Sequence, residues 1–354
     1  MKNVLFCIAI VKVVFTQEMD FSGVNQFWII QEKLTNQRTV SEAEWQRLLM
    51  SPGYLALDKK ERKGPILRRA IELAYSPDLG SELRQALDKG GFLAYSMRHL
   101  QRVPKLRDQL EQFRSELSKP GFLNQSFDKL KLLIPAELIA KYPPCPIAFV
   151  FFAPDGRGYP QIIVADLLNV MNSISQSGFF AHEYFHFYRS RLGQIKDVDF
   201  DPVDESLMYA LIRIEEEGIA DQLDKTEIPG ITEAEIKSLV TAESKAEFYL
   251  SYRQFYKDSE TWLRRINSDL EKMADEPDSA KGIADQLNKD LPIGGRPVGA
   301  FMARQIIERL GIASLRSCIG DTFKFFELFN QSNPESFSKK SITLLEQLQK
   351  KYHK

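Results

Sequence analysis

Two histidines four residues apart, His182 and His186, enclose the glutamate Glu183 in a stretch that reads H-E-x-x-H. On a helix, residues four apart lie on the same face, so both imidazoles can reach one metal ion. Neutral imidazole is a good zinc ligand, and a zinc-bound water has its pKa pulled toward neutrality. Glu183 lies beside that face and can hold a water against the metal. The pattern therefore predicts two metal ligands and a general base.

Histidine is rare in this chain, which makes a chance H-E-x-x-H pattern rare as well. Besides the two in the motif, the 354 residues include only His99 and His353. Apolar and aromatic residues surround the motif on both sides. The alternative is a pair of buried histidines that are satisfied by hydrogen bonds on an aromatic helix. Burying two imidazoles and a carboxylate without a metal is costly, so the metal site is favoured.

A catalytic zinc usually has three protein ligands and one open position. The sequence offers no histidine between His186 and His353 and no suitable cysteine, so a carboxylate must supply the third ligand. The adjacent glutamates Glu215, Glu216 and Glu217 are the candidates, and a helix presents each on a different face. Glu215 is expected not to point inward, and Glu216 has a comparable chemical claim to Glu217 if the helix is rotated. The alternative for all three is a charged, solvated face.

Length and composition are typical of a globular chain with one large or two smaller domains. Hydrophobic residues make up 44% of the chain and charged residues 27%, which are ordinary fractions. The formal net charge of -1 gives no reason to expect nucleic acid or an anionic membrane as a partner. Cys145 and Cys318 could form one disulfide or stay two buried thiols, so cysteine usage does not decide the compartment.

The N-terminus differs from the rest of the chain. Residues 1–17 contain Lys2 and an apolar run at 4–11, and this resembles a bacterial secretory signal peptide. The apolar run is too short for a membrane span. Lys12 interrupts the apolar region and no A-x-A cleavage site is present, so a buried first strand is the alternative. The signal peptide predicts a periplasmic or secreted protein.

The N-terminal segment, residues 18–145, is predicted to form a helical lobe, because apolar residues recur at three- and four-residue intervals. Helices are predicted at 42–50, opened by a capping box at 41–44, and at 65–75, 79–87, 92–100 and 103–117. His99 lies on one of these helices, and a structural role is expected for it.

The middle segment, residues 146–227, is predicted to carry the site. Apolar runs at 147–152 and 161–164, separated by a turn rich in glycine and proline, predict an antiparallel hairpin. The next helix, capped by Asp166 or Asn169, carries the H-E-x-x-H motif. A second helix from 204 to 223 carries the glutamates.

The C-terminal segment, residues 228–354, is predicted to form a second helical lobe. A capping box at 232–235 predicts the start of a long helix that carries Tyr249, Tyr252 and Tyr256. The predicted fold is therefore mainly α, of the α+β class. It has a small antiparallel sheet before the motif helix and helical lobes on both sides.

The segment Glu217-Gly218-Ile219-Ala220-Asp221 resembles the E-G-x-A-D signature of the gluzincins, the thermolysin-like zinc peptidases. The resemblance implies a zincin-like catalytic core in which His182, His186 and Glu217 hold zinc. It also implies that Asp221, one turn after Glu217, hydrogen-bonds His182. Residues four apart share a helix face, which agrees with this arrangement.

A glycine-rich helix start at 294–303 resembles that of uncharacterised bacterial families described as zinc-dependent peptidases. Arg296 in this stretch is a candidate for stabilising the oxyanion or for clamping a substrate carboxylate, and a solvated arginine is the alternative. The predicted hairpin resembles the edge-strand element of zincins, along which an extended peptide can lie.

The resemblance implies zinc-dependent hydrolysis of a peptide or protein substrate, with Glu183 moving a proton from water to the leaving amine. Thermolysin-like enzymes add a downstream histidine or tyrosine at the oxyanion. This chain lacks the histidine, and Tyr249, Tyr252 and Tyr256 are more typical of packing residues. Two alternatives stay open: a zinc hydrolase for another class of substrate, and a non-catalytic zinc-binding protein.

Overall fold

A computed structural model describes residues 18–195, 199–240 and 242–354. The predicted signal peptide at 1–17 lies outside these ranges. Within them the chain is mainly helical with one small sheet, as the sequence predicts. None of the helices in these ranges combines the length and the apolar character that a membrane crossing requires.

The N-terminal part contains strand β1 (Met19–Asp20) and helices α1 (Ser22–Thr35), α2 (Glu42–Leu49), α3 (Pro52–Glu61), α4 (Gly64–Tyr75), α5 (Gly80–Lys89), α6 (Gly91–Leu100), α7 (Arg107–Leu117), α8 (Asn124–Leu130) and α9 (Ala136–Lys141). The middle part contains β2 (Ile147–Val150), β3 (Gly156–Gly158), β4 (Ile163–Asp166), α10 (Leu167–Met171), α11 (Gln176–Leu192) and α12 (Glu205–Ala220). The C-terminal part contains α13 (Glu233–Leu239), α14 (Glu243–Lys257), α15 (Ser259–Asp275), α16 (Ala280–Asp290), α17 (Arg296–Leu310), α18 (Ile312–Ser317), α19 (Thr322–Ser332) and α20 (Lys339–Tyr352).

The sheet is mixed rather than antiparallel, with the strand order β1-β2-β4-β3. β2 pairs with β4 in parallel, with Ile147 opposite Ile163, so the predicted hairpin between these two strands is wrong. Both strands are buried along their whole length, which is typical of parallel strands that are covered on both faces. The antiparallel partner of β4 is the short strand β3, which forms the edge of the sheet.

The helices predicted in the N-terminal part are confirmed, except that 103–106 form a 3-10 helix and α7 begins only at Arg107. The predicted capping box of α2 is also present, and Ser41 N–H donates to Glu44 Oε2 at 2.9 Å. His99 on α6 is buried, and its Nε2 lies 2.8 Å from Asp166 Oδ1 at the end of β4. The other oxygen of Asp166 accepts a hydrogen bond from Phe152 N–H at 2.8 Å. His99 therefore ties α6 to the sheet.

Two helices follow β4 where the sequence predicted one. Asp166 caps α10 and accepts a hydrogen bond from Asn169 N–H at 2.9 Å. Ser175 caps α11 and accepts one from Gly178 N–H at 3.0 Å. The prediction that Asp166 or Asn169 opens the motif helix is therefore wrong, because the chain leaves the helical path at 172–175.

Helix α11 is buried on nearly all sides, as expected for a helix that carries aromatic residues around its whole circumference. Two tyrosines set its rotation. Tyr184 OH donates to Cys145 O at 3.1 Å, and Tyr188 OH donates to Tyr142 O at 3.0 Å. The face that is left for β3 and α12 carries the H-E-x-x-H residues.

Helices α12 and α17 cross in direct backbone contact. A Cβ at Gly299 would lie 2.0 Å from Ile214 O, and a Cβ at Gly218 would lie 2.2 Å from the carbonyl carbon of Gly299. No side chain fits at either glycine without moving a helix. α17 begins after a turn with positive φ at Gly294 and Gly295, which favours glycine there. The crossing and the turn bring the first residues of α17 against the end of α12.

The C-terminal part departs from the prediction in one respect: the predicted long helix after 232 is two helices, α13 and α14.

One apolar core runs through the N-terminal, middle and C-terminal parts, from Phe21 to Tyr352. The division into three segments stays a prediction. Cys145 and Cys318 are both buried and are not joined to each other by a disulfide.

Candidate metal centre

The imidazole rings of His182 and His186 meet through their Nε2 atoms, which lie 3.0 Å apart. Helix α12 brings Oε2 of Glu217 to 3.5 Å from His182 Nε2. Two ligand atoms about 2.0–2.1 Å from a tetrahedral zinc ion are about 3.4 Å from each other. The two observed separations, 3.0 Å and 3.5 Å, lie on either side of that value. The three side chains therefore present ligand atoms that are spaced for one zinc ion.

The opposite ring nitrogens, Nδ1, contact carboxylates. His186 Nδ1 lies 2.8 Å from Glu216 Oε1, and His182 Nδ1 lies 3.2 Å from Asp224 and 3.4 Å from Asp221. An ionised carboxylate only accepts, so each Nδ1 carries a proton, and Nε2 is the ring atom that can bind a metal when the ring is neutral. Burial lowers the pKa of His182, but the carboxylates of Asp224 and Glu217 together outweigh burial and raise it to about 10. The space between the two rings therefore favours a positive charge, either a proton or a metal ion.

The three adjacent glutamates have three different environments. Glu217 faces the histidine pair, while Glu216 lies against the far side of His186. Burial raises the pKa of Glu216, but Arg189 and His186 outweigh burial and lower it to about 2. Glu215 is fully buried and pairs with Arg189, so the expectation that it does not point inward is wrong. The reason is that Arg189, one turn after His186, supplies a buried counter-charge.

Arg296 forms an ion pair with Glu217. Its Nε lies 2.9 Å from Oε2, and its Nη2 donates to Oε1 at 3.0 Å. Burial raises the pKa of Glu217, but Arg296 and His182 outweigh burial and hold it well below its ordinary value. Oε2 is buried, and although Nε of Arg296 lies 2.9 Å away, this oxygen accepts no hydrogen bond of good geometry within the described ranges. An ionised oxygen with this open position fits a metal ion.

Asp224 is a site residue that the sequence analysis missed. It lies beyond the end of α12 and is nearer to His182 than Asp221, the predicted partner, so the two aspartates share that contact. Lys225 donates to both aspartates at 2.7 Å, and Tyr252 OH donates to Asp221 at 2.8 Å. Both oxygens of each aspartate already accept a hydrogen bond, from Lys225, Tyr252 or His182, whereas Oε2 of Glu217 accepts none within the described ranges, so the aspartates are less suited than Glu217 to bind a metal. The sequence signal for Asp224 is the D-x-x-D-K run at 221–225.

Glu183 is buried beneath strand β3, and burial raises its pKa. A Cβ at Gly156 would lie 2.5 Å from Glu183 Oε1, and a Cβ at Gly158 would lie 2.6 Å from Glu183 O. Only glycine leaves room for the strand at these two positions. The G-x-G run therefore allows the edge of the sheet to pass directly over the predicted base.

Two cavities meet at His182, Glu183 and Arg296. The larger has a volume of about 670 Å³ and extends past His186 and Glu217 along β3. The smaller has a volume of about 290 Å³ and extends between α10 and α14. The predicted metal and base residues thus lie at the junction of two spaces that a substrate can occupy.

The three tyrosines that were considered for stabilising the oxyanion lie in different parts of the structure. Tyr252 is buried and supports Asp221, while Tyr256 packs against Phe301. Tyr249 lines the smaller cavity, and its hydroxyl accepts a hydrogen bond from Ile174 N–H at 3.4 Å.

Comparison with known proteins identifies one family. A family model described as "Putative zinc dependent peptidase (DUF5700)" matches residues 41–334, which is most of the chain and includes every residue of the site. No curated protein and no solved structure shows significant similarity to the chain.

Proposed function

The chain belongs to this family of zinc-dependent peptidases, and from that premise we propose that it is a gluzincin-like metallopeptidase. The observation that carries the proposal is the set of three ligand atoms from His182, His186 and Glu217, in which Oε2 of Glu217 lacks a hydrogen-bond partner within the described ranges. These residues hold the metal. Asp221 and Asp224 orient His182 through its Nδ1–H.

Bound zinc would supply a Lewis acid that polarises the scissile carbonyl and lowers the pKa of a water molecule. Glu183 accepts the proton of that water on its carboxylate and passes it to the leaving amine. Burial raises the pKa of Glu183 and so brings it closer to neutral pH. A pKa in that range helps the group both to accept a proton from water and to pass it on. A purely structural zinc site has no use for this buried carboxylate, which favours an enzyme over a binding protein.

The substrate backbone is proposed to lie along β3. This strand pairs with β4 on one side, and its other edge is open within the described part of the sheet. Asp155 and Tyr159 bond toward β4, so by alternation the backbone groups of Gly156 and Gly158 face the other edge. There the N–H of Gly156 donates to Asp155 Oδ1 and its oxygen accepts from Arg157 Nη1, so an added peptide would replace these two side-chain contacts. An extended peptide that is added at this edge passes over Glu183.

Arg296 is proposed to have two roles. It pairs with the carboxylate of Glu217, and it lines both cavities beside Glu183. A guanidinium has five N–H donors, and the hydrogen bond to Oε1 of Glu217 uses one of them. The remaining donors are available to an oxyanion or a substrate carboxylate.

The test is metal analysis together with a peptide-library assay. The wild-type protein is expected to hold about one zinc ion per chain. Glu183→Gln is expected to keep the zinc and to lose hydrolysis by a factor on the order of 100 to 10,000. The matched control is Glu276→Gln, which changes an exposed carboxyl at the end of α15 and should alter neither quantity.

Two outcomes would contradict the proposal. Absence of a transition metal from the wild-type protein would overturn the zinc site. Zinc-loaded wild-type protein that cleaves no peptide would overturn the peptidase assignment, and assays with esters and non-peptide amides would then test a hydrolase of another substrate class.

A further inference from the structure

The smaller cavity contains a lysine that the proposed mechanism does not use. We call this cavity the lysine pocket; its lining includes Glu183, Asn169, Phe179, Lys245, Phe248 and Tyr249. Lys245 lies in the first turn of α14 and is only partly exposed. Its ammonium group shares the cavity with the proposed base, although 62 residues of chain separate the two.

Lys245 differs from the other cations around the site in its partners. Lys225 pairs with two aspartates and Arg296 pairs with Glu217. Lys245 Nζ instead donates to the amide oxygen of Asn169 at 2.7 Å, and no carboxylate of the described chain lies within ion-pair distance of it. It is therefore a cation without a counter-ion, placed in a cavity next to the reacting groups.

Asn169 holds this ammonium group in a defined position. Asn169 is buried on α10, where its backbone N–H donates to Asp166 and its backbone oxygen accepts from Ser173. Lys245 is thus fixed by a neutral oxygen of a second helix rather than by a charge. Two of its N–H donors remain available, since an ammonium group has three.

The ammonium group of Lys245 is partly removed from water and has no counter-ion among the described residues, so an anion in the pocket would stabilise it. Burial lowers its pKa to about 8, and Lys225 adds to this effect. A carboxylate that enters the pocket would replace lost solvation with a charge-assisted hydrogen bond. The rings of Phe248 and Tyr249 lie 5.4 Å and 5.3 Å from Nζ and supply apolar walls for the carbon atoms that carry such a carboxylate.

We propose that Lys245 recognises a carboxylate of the peptide substrate close to the scissile bond. This inference rests on the proposed peptidase function, because it assigns the lysine pocket as a subsite of the same site. The carboxylate can be the C-terminal carboxylate of a short peptide or the side chain of a glutamate or aspartate residue. Both present the same charge to Lys245, and the experiment separates them.

The first experiment compares kcat/KM for matched peptides on the zinc-loaded protein. One pair differs by glutamate against glutamine at a position beside the scissile bond, and the other by a free C-terminal acid against its amide. Wild type is expected to prefer the acidic member of one pair by about tenfold or more. Lys245→Met should reduce that preference to about twofold or less while neutral peptides are still cleaved. Lys257→Met, an exposed lysine at the end of the same helix, is the control.

The outcomes distinguish the proposed role of Lys245 from the proposed peptidase function. Cleavage of neutral and acidic peptides at equal rates overturns the role of Lys245 and leaves the peptidase function standing. The same holds if Lys245→Met keeps the full preference. The pair that shows the preference identifies the source of the carboxylate.

A second experiment does not depend on hydrolysis. Calorimetry measures binding of N-acetylglutamate amide, N-acetylglutamine and N-acetylglutamine amide to zinc-loaded wild type and Lys245→Met. These probes carry a side-chain carboxylate, a terminal carboxylate and no carboxylate, respectively. At least one acidic probe should bind wild type about fivefold or more tightly than the variant, and the neutral probe should not distinguish them. Equal affinity of both proteins for all three probes overturns the inference even if no peptide is cleaved.

Discussion

The two sides of the proposed metal centre are built in different ways. On one side, α11 supplies His182, Glu183 and His186 from five consecutive residues, and helical geometry alone sets their relative positions. On the other side, α12, α17 and α14 supply Glu217, Arg296 and Lys245, and only packing between distant segments brings these groups to the first side. The first side is determined by a local pattern, whereas the second depends on how closely helices approach one another.

On the second side, α12 and α17 approach each other closely because the contact positions are glycines, which have no side chain. Gly218 and Gly299 let α12 and α17 touch through their backbones, and this places Arg296 against Glu217. Each glycine costs helix stability, about 1 kcal/mol relative to alanine in a helix interior. The two helices are therefore less stable by themselves than they would be with alanine at these positions. This cost falls at the contact that sets the distance between Arg296 and Glu217.

The largest effect is expected for Glu217→Gln, compared with Glu216→Gln. Loss of Glu217, the proposed third ligand, should weaken zinc binding by more than the 10–100-fold that is typical of residues that only orient ligands. Glu216 contacts Nδ1 of His186, so its variant should stay within that smaller range. Chelator competition measures both affinities. A larger loss for Glu216→Gln than for Glu217→Gln would assign the third ligand to Glu216.

Gly299→Ala tests the crossing of α12 and α17. The added Cβ would lie 2.0 Å from Ile214 O, so the helices must separate, and the free energy of unfolding should fall by about 3 kcal/mol. The control is Gly282→Ala on α16, where a Cβ meets nothing within 4 Å and the protein should gain up to about 1 kcal/mol. Urea unfolding of the metal-free protein measures both. Equal stability of the two variants would show that the glycine contact is not required.

Arg296→Met tests the charge balance on the second side. Removing the guanidinium leaves the carboxylate of Glu217 partly buried without its partner, which should destabilise the metal-free protein by about 2 kcal/mol. Zinc would then take over the neutralisation, so the rise in Tm on adding zinc should be larger than in wild type. Arg304→Met on the same helix removes an exposed pair with Glu308 and should change stability by about 0.5 kcal/mol or less. A zinc-induced rise that is unchanged in Arg296→Met would contradict this role.

The smallest effect is expected in the pH dependence of the proposed carboxylate preference. The pKa of Lys245 is about 8, and the charged groups that influence it are Lys225, Asp155, Asp224 and Arg296. The ammonium is charged below its pKa, so the preference should be present at pH 7 and should fall several-fold by pH 9.5. A bound carboxylate moves the midpoint above 8 because it favours the charged form. The ratio of kcat/KM for the matched peptides measures this, since effects common to both substrates cancel. A flat ratio would argue against charge recognition by Lys245.

The sequence predicted five helices of the N-terminal part and the start of α17, because caps and apolar periodicity act over a few residues. It was wrong about the hairpin because an apolar run of strand length does not reveal its partner. β2 pairs in parallel with β4, and a three-residue strand in the connecting turn takes the antiparallel position. It also merged α10 with α11 and α13 with α14, where the chain breaks between helices of similar pattern.

For the site, the sequence by itself determined the arrangement of His182, Glu183 and His186, since four residues make about one helical turn. It also placed Glu217 and Asp221 on one helix face. Only the tertiary structure decided that Glu215 is buried against Arg189, that Asp224 shares the contact with His182, and that a lysine of α14 lies in the cavity of the base. The physical reason is that periodicity relates residues within a helix, whereas the rotation of a helix and its distance from others depend on the segments that pack against it.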